Sequence, residues 1–123
     1  MAKKKVFISY EYDRDHHLKG SLVTQAKRPD SPFSISDFSL KESTPDPEWL
    51  RKAQSRIDRC DVFVVLLGPN THNASGVRKE VGIAKSLGRP RFQLRPQGRL
   101  YGKVKDAGEI HTWKWKNLKE LLA

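Results

Sequence analysis

The stretch D-V-F-V-V-L-L-G-P-N-T, from Asp61 to Thr71, and its continuation H-N-A-S-G-V-R-K-E-V-G-I-A-K-S-L-G, from His72 to Gly88, decide how this chain folds. The run Val62 to Leu67 is apolar without interruption and stops at Gly68-Pro69-Asn70. A strand covered on both faces has this pattern, and such strands belong to parallel sheets. A polar turn follows, and then a helical segment from Gly76 or Val77 to Leu87. Val77, Val81 and Ala84 form its inner face, and Gly88 supplies a C-terminal stop. Glu80 is the only acidic residue of that segment. A strand, a turn and a helix that carries one carboxylate is how an open α/β sheet presents a reactive group beyond its carboxyl edge.

The pattern repeats on either side. Lys4 to Tyr10 reads as a first buried strand, Glu11 to Asp15 as a polar loop able to cap a helix, and His16 to Lys27 as that helix. Phe33 to Phe38 alternates apolar and polar residues and reads as a strand near an edge. Asp46 and Pro47 suit an N-cap followed by proline in the first helical position, with Trp49, Leu50, Ala53 and Ile57 facing inward. Arg91 to Leu94 is a fourth strand, and Pro96 to Gly108 is a basic, glycine-rich loop that reads as mobile. Glu109 to Trp115 is a last strand with Trp113 and Trp115 on one face, and Asn117 to Leu122 is a closing helix. Strands alternating with helices imply right-handed crossovers and one parallel sheet. The expectation is a three-layer α/β domain over residues 1–123, with five parallel strands in the flavodoxin-like order 2-1-3-4-5. Its switch point lies past the first and third strands, at Tyr10-Glu11 and at Gly68 to Thr71.

The 123 residues allow one core, and 37% hydrophobic with 31% charged residues suits a folded, soluble chain. No apolar run approaches the roughly 20 residues that span a bilayer. The apolar stretch behind Lys3-Lys4-Lys5 is too short for a signal peptide. One cysteine, Cys60, forbids an internal disulfide and a cysteine-based zinc site, and a cytoplasmic location is expected. The histidines show no metal-ligand spacing, so no metal is expected. Cys60 reads as a structural thiol, since no fixed base accompanies it. The net charge of +10 attracts polyanions, and Val81 to Lys105 contains no acid. That block lacks both the aromatic interleaving of a single-strand platform and any nucleic-acid motif, so it reads as a solvated basic face.

Several residues admit two readings. Glu80 can be a surface helix residue paired with nearby lysines, or a carboxylate that stabilises a cationic transition state. Tyr10 can stack on a ring or simply pack at its strand end. Asp37 can bind a ribose or cap a turn, and Asn70 and Thr71 can offer donors to a phosphate or only shape the turn. There is no G-x-G-x-x-G and no P-loop, so an ordinary dinucleotide or nucleotide-triphosphate fold is unsupported.

Taken in order, K-V-F-I-S-Y, S-I-S-D-F-S, D-V-F-V-V-L-L-G-P-N-T, V-R-K-E-V-G-I-A-K-S-L-G-R-P and W-K-W resemble the TIR-like proteins of bacteria and archaea. Among these, the chain is similar to the small branch that includes the sensor subunit of Thoeris anti-phage systems. The resemblance implies a signalling domain that cleaves or cyclises NAD, with Glu80 as the catalytic glutamate. It implies that Ser9 and Tyr10, and the loop around Asp37, Phe38 and Ser39, border the substrate. NAD is then substrate, with no separate cofactor. The implied partners are a second TIR domain or another copy of the chain, and an effector reached through a small-molecule product. One departure stands out: the tryptophan often found before the helix valine is Gly76 here, which removes an aromatic wall. The rival readings are a non-catalytic, receiver-like interaction module, a nucleic-acid-associated protein, and a deoxyribosyltransferase-like enzyme.

Overall fold

Val62–Leu66 forms the central strand, β3, and every residue in it is buried. In the computed structural model, which describes residues 3–41 and 47–123, it is flanked by β1 (Lys4–Ser9) and β4 (Arg91–Arg95). Outside these lie β2 (Phe33–Phe38) and β5 (Ile110–Thr112), giving the order β2-β1-β3-β4-β5 with every pair parallel. Among the described residues the helices are α1 (His16–Ala26), α2 (Pro47–Asp58), α3 (Ser75–Ser86) and α4 (Trp115–Leu121), and a 3-10 turn occupies Thr71–Asn73. The expected α/β fold and strand order are present. The N-cap expected at Asp46 lies outside the described residues.

Period-two alternation divides the sheet into two cores. Val6 and Ile8 of β1 and Val62, Val64 and Leu66 of β3 pack with Leu22, Leu118 and Leu122 on one face. Phe7, Phe63, Val65 and Leu67 pack with Ile57, Val77, Val81 and Ala84 on the other. The Phe7 and Phe63 rings stack at 5.5 Å on that second face. Ser9, two residues beyond Phe7, therefore points to the α3 side of the sheet, with no exposed surface. Cys60 is buried on the same side, and burial pushes its thiol up to about 11, so it stays protonated.

Four expectations are corrected, the first being Leu50, which is 45% exposed and not on the inner face of α2. The loop between β4 and β5 is anchored, because the buried Gln93 amide donates to the Val104 and Gly108 carbonyls and its oxygen accepts from the Val104 N–H. Val104 and Ala107 are buried as a result. The last strand ends at Thr112, so Trp113 and Trp115 do not share a strand face. Trp113 donates its indole N–H to Gln25 of α1, and Trp115 donates to Asp30 and lies beneath the Arg28 guanidinium. These polar handles draw the two indoles back towards α1. Finally, Asp15 is the N-cap residue of α1 but makes no side-chain capping bond. Its carboxylate crosses the carboxyl edge of the sheet, where it accepts from Thr71 Oγ at 3.4 Å and fills the space a Cβ on residue 68 would take.

Gly68 is thus required by space. A methyl group there overlaps the Asp15 carboxylate. Gly68→Ala should lower the unfolding free energy in urea by about 1–3 kcal/mol; an unchanged midpoint would show that the carboxylate has room to move. Burial raises the Asp15 carboxyl above its ordinary 3.8, with the Thr71 hydroxyl and the His17 and Arg14 charges pulling it back. The folded chain then holds this proton more tightly than the unfolded chain. The contribution to stability is fully present below 3.8 and is lost as pH rises through the folded value. Asp15→Asn should therefore weaken the loss of stability as pH rises above the ordinary 3.8 in urea titrations, and an unaltered slope would refute this.

Candidate functional site

The carboxyl ends of β1 and β2 face a cavity of about 220 Å³ closed by the start of α3. Tyr10, Glu11, Tyr12 and Asp13 follow β1 into it, and Ser39 and Leu40 enter after β2. Ala74, Ser75, Gly76, Val77 and Glu80 form the wall given by α3. This is the switch point of the sheet, where the crossovers on the two sides leave a crevice.

Glu80 is 1% exposed, which overturns its reading as a surface residue. Its Oε1 accepts a hydrogen bond from Ser9 Oγ at 2.7 Å and another from Ser39 Oγ at 2.6 Å. Ser39 is itself fixed, since its hydroxyl oxygen receives the Tyr10 N–H at 3.1 Å and its backbone N–H donates to the Ile8 carbonyl at 2.9 Å. Two short hydroxyl bonds hold the carboxylate on the inner turn of α3 in one orientation. Removing a charge from water is costly unless it is paired in this way.

Tyr10 is 1% exposed and lines the cavity. Its hydroxyl lies 3.3 Å from His16 Nδ1, and its ring meets Tyr12 and His16. Burial pushes this phenol up to about 12, with Tyr12 and Glu80 adding to the effect. Tyr12 packs edge-on against His16 at 4.5 Å, so one aromatic cluster supports this side of the cavity.

The remaining sequence candidates lie elsewhere. Asp37 is held by Arg56 at 3.0 Å and Arg59 at 3.1 Å, and it does not line the cavity. A register shift between Val6 and Phe7 accompanies its placement on β2. Phe38 sits under the Lys19 ammonium, beside a separate hollow formed with Val23 and Ala26. Thr71 is fully buried, and its hydroxyl oxygen accepts the Gly68 N–H at 2.7 Å, so it serves the turn. Asn70 precedes the 3-10 turn, where its carbonyl accepts from the Asn73 N–H, and it too lies outside the cavity.

Tyr12 and Asp13 were read only as a capping loop, and Glu11 was placed at the switch point without a role in the site. Their signal was their position directly past β1 at the switch point. Leu40 was also missed, and it is placed by Trp49, whose indole N–H donates to its carbonyl at 3.3 Å. Gly76 does line the cavity, at the place where the tryptophan is absent.

The fold resembles that of a CMP N-glycosidase from Clostridium botulinum, BcmB. The two are 19% identical, with a TM-score of 0.55 and coverage of 96% of this chain and 97% of that one. A β-glucosidase from Erythrobacter marinus, EmGH1, gives a TM-score of 0.44 at 14% identity over 81% of this chain and 20% of its own, too distant to bear on the site. No curated protein sequence matches at a significant level. The family model for the TIR-like domain of the Thoeris protein ThsB matches residues 7–100, from the buried end of β1 into the β4–β5 loop. As the ordered motifs implied, the chain belongs to the ThsB TIR-like domain family.

Proposed function

We propose that this domain breaks the N-glycosidic bond of NAD, with Glu80 as the catalytic carboxylate. The observation that carries the reading is a buried carboxylate, oriented by two hydroxyls, in a cavity lined by two further acids, Glu11 and Asp13. No lysine, arginine or histidine is among the described residues that line it. Such a cavity favours a cation, whereas the protein as a whole carries +10 and attracts a polyphosphate. A dinucleotide whose one ring is a pyridinium and whose centre is a pyrophosphate suits both features.

When the C1′–N bond breaks, both bonding electrons pass to the ring nitrogen and nicotinamide leaves neutral. No acid is needed for this departure. The ribose is left as an oxocarbenium ion, and Glu80 stabilises that charge or binds the ribose hydroxyls beside it. Water then adds and gives up a proton, or a nucleophile of the same substrate does so and closes a ring. In the second case the product is a cyclic ADP-ribose type of messenger, suited to reaching a separate effector in anti-phage defence. A second copy of the chain or another TIR domain would complete the open side of the cavity.

A second reading rests on the glycosidase fold likeness. The substrate is then a nucleoside monophosphate, whose neutral base needs a proton to leave, and Glu11 or Asp13 becomes the candidate acid. Incubation with NAD and with CMP, each followed by mass spectrometry, separates the two by the released base. A folded protein that consumes neither, with or without phage challenge in cells, would leave the interaction module as the better account.

Glu80→Gln should reduce NAD loss by roughly 100- to 1,000-fold, the scale set by removing one transition-state group; unchanged turnover in an active preparation would refute the assignment. Ser9→Ala and Ser39→Ala each delete one hydroxyl bond to Glu80. Each should lower kcat by roughly 10-fold with KM little altered. A rise in KM at constant kcat would instead assign these serines to substrate binding.

A further inference from the structure

Glu11 stands directly after Tyr10 at the carboxyl edge of the sheet and lines the same cavity as Glu80. Its side chain is 15% exposed, and its Oε1 is buried with no hydrogen-bond partner among the described residues. Arg14 Nε is 4.0 Å away on a side chain that is 68% exposed, too far for a hydrogen bond and too wet to compensate. The contrast with its neighbours is plain. Glu80 Oε1 receives two hydroxyls, and Asp15 Oδ2 receives one. A buried acceptor left without a donor is costly, and a ligand that donates a hydrogen bond there offsets that cost.

The size of the cavity limits which part of a ligand supplies it. Ligand pockets for drug-sized molecules run to roughly 300–1,000 Å³, so about 220 Å³ takes one end of a dinucleotide. If Glu80 faces C1′ of the ribose, the ring attached to C1′ shares this space with Glu11. On the reading that the substrate is NAD, we propose that Glu11 selects the departing ring: Oε1 accepts a hydrogen bond from the carboxamide N–H. A ring that carries a carboxylate in place of the carboxamide has no donor to offer and brings a like charge against Glu11. A site built around one polar contact rejects the analogue that lacks it far more strongly than an apolar wall would.

The test compares NAD with nicotinic acid adenine dinucleotide, which differ only in amide against acid. Calorimetric titrations use the full chain carrying Glu80→Gln, which leaves both ligands intact, with and without Glu11→Gln. Turnover of both dinucleotides by the chain with Glu80 present is the second readout. The expected result is a preference for NAD of roughly 100-fold or more, falling below about 10-fold in Glu11→Gln because the glutamine amide can donate to the acid. A preference that Glu11→Gln leaves unchanged overturns the assignment, as does equal binding of the two dinucleotides when Glu11 is present. Failure of the folded protein to bind either dinucleotide overturns the NAD reading itself, and the role of Glu11 with it.

Discussion

A buried carboxylate must be satisfied, and the way Glu80 is satisfied constrains most of this domain. Its Oε1 takes hydroxyls from Ser9, at the end of β1, and from Ser39, just past β2. Those residues are 71 and 41 positions away in sequence. They meet α3 only if β1 lies between β2 and β3 with all three strands parallel, which is the arrangement present. The apolar alternation that turns Phe7 towards Phe63 also turns Ser9 towards Glu80. The same periodicity therefore builds the core and aims the polar pair. A second tie, from Asp15 to Thr71 and Gly68, joins the loop after β1 to the turn after β3 and keeps the two sides of the crevice in register.

Much of this was legible from local pattern. The unbroken apolar run at β3 identified a strand covered on both faces, and its helical sequel placed Val77, Val81 and Ala84 inward as found. Glu80 belongs to that inner face by helical spacing, three residues after Val77 and four before Ala84. Its reading as a surface residue gave too little weight to that spacing. What the sequence did not disclose depended on distant side chains. Asp37 lies in a strand beside the site but is claimed by Arg56 and Arg59 of α2 and its end. Gln93 immobilises a loop whose glycine content suggested motion. Trp113 and Trp115 are directed by Gln25 of α1 and by Asp30 in the turn after it, both far back in the chain. No periodicity argument reports such partners.

The site combines two electrostatic scales. The cavity presents Glu80, Glu11 and Asp13, whereas the chain as a whole is strongly basic. On the proposed function, a ligand with a cationic ring and an anionic linker would be drawn by the outer field and oriented by the inner one. Tyr10 adds no competing charge, since burial keeps its phenol protonated well beyond neutral pH. Gly76 leaves the α3 wall low where an aromatic ring would stand.

What Glu80 faces when the cavity is filled decides between these readings. The most direct measurement is a crystal structure of the Glu80→Gln protein with NAD bound. The account predicts the ribose carbon C1′ opposite residue 80, with the ribose hydroxyls within hydrogen-bonding reach of its side chain and the pyridinium ring between Glu11 and Tyr12. NAD bound with its nicotinamide ribose remote from residue 80, or an empty cavity at saturating NAD, would contradict it.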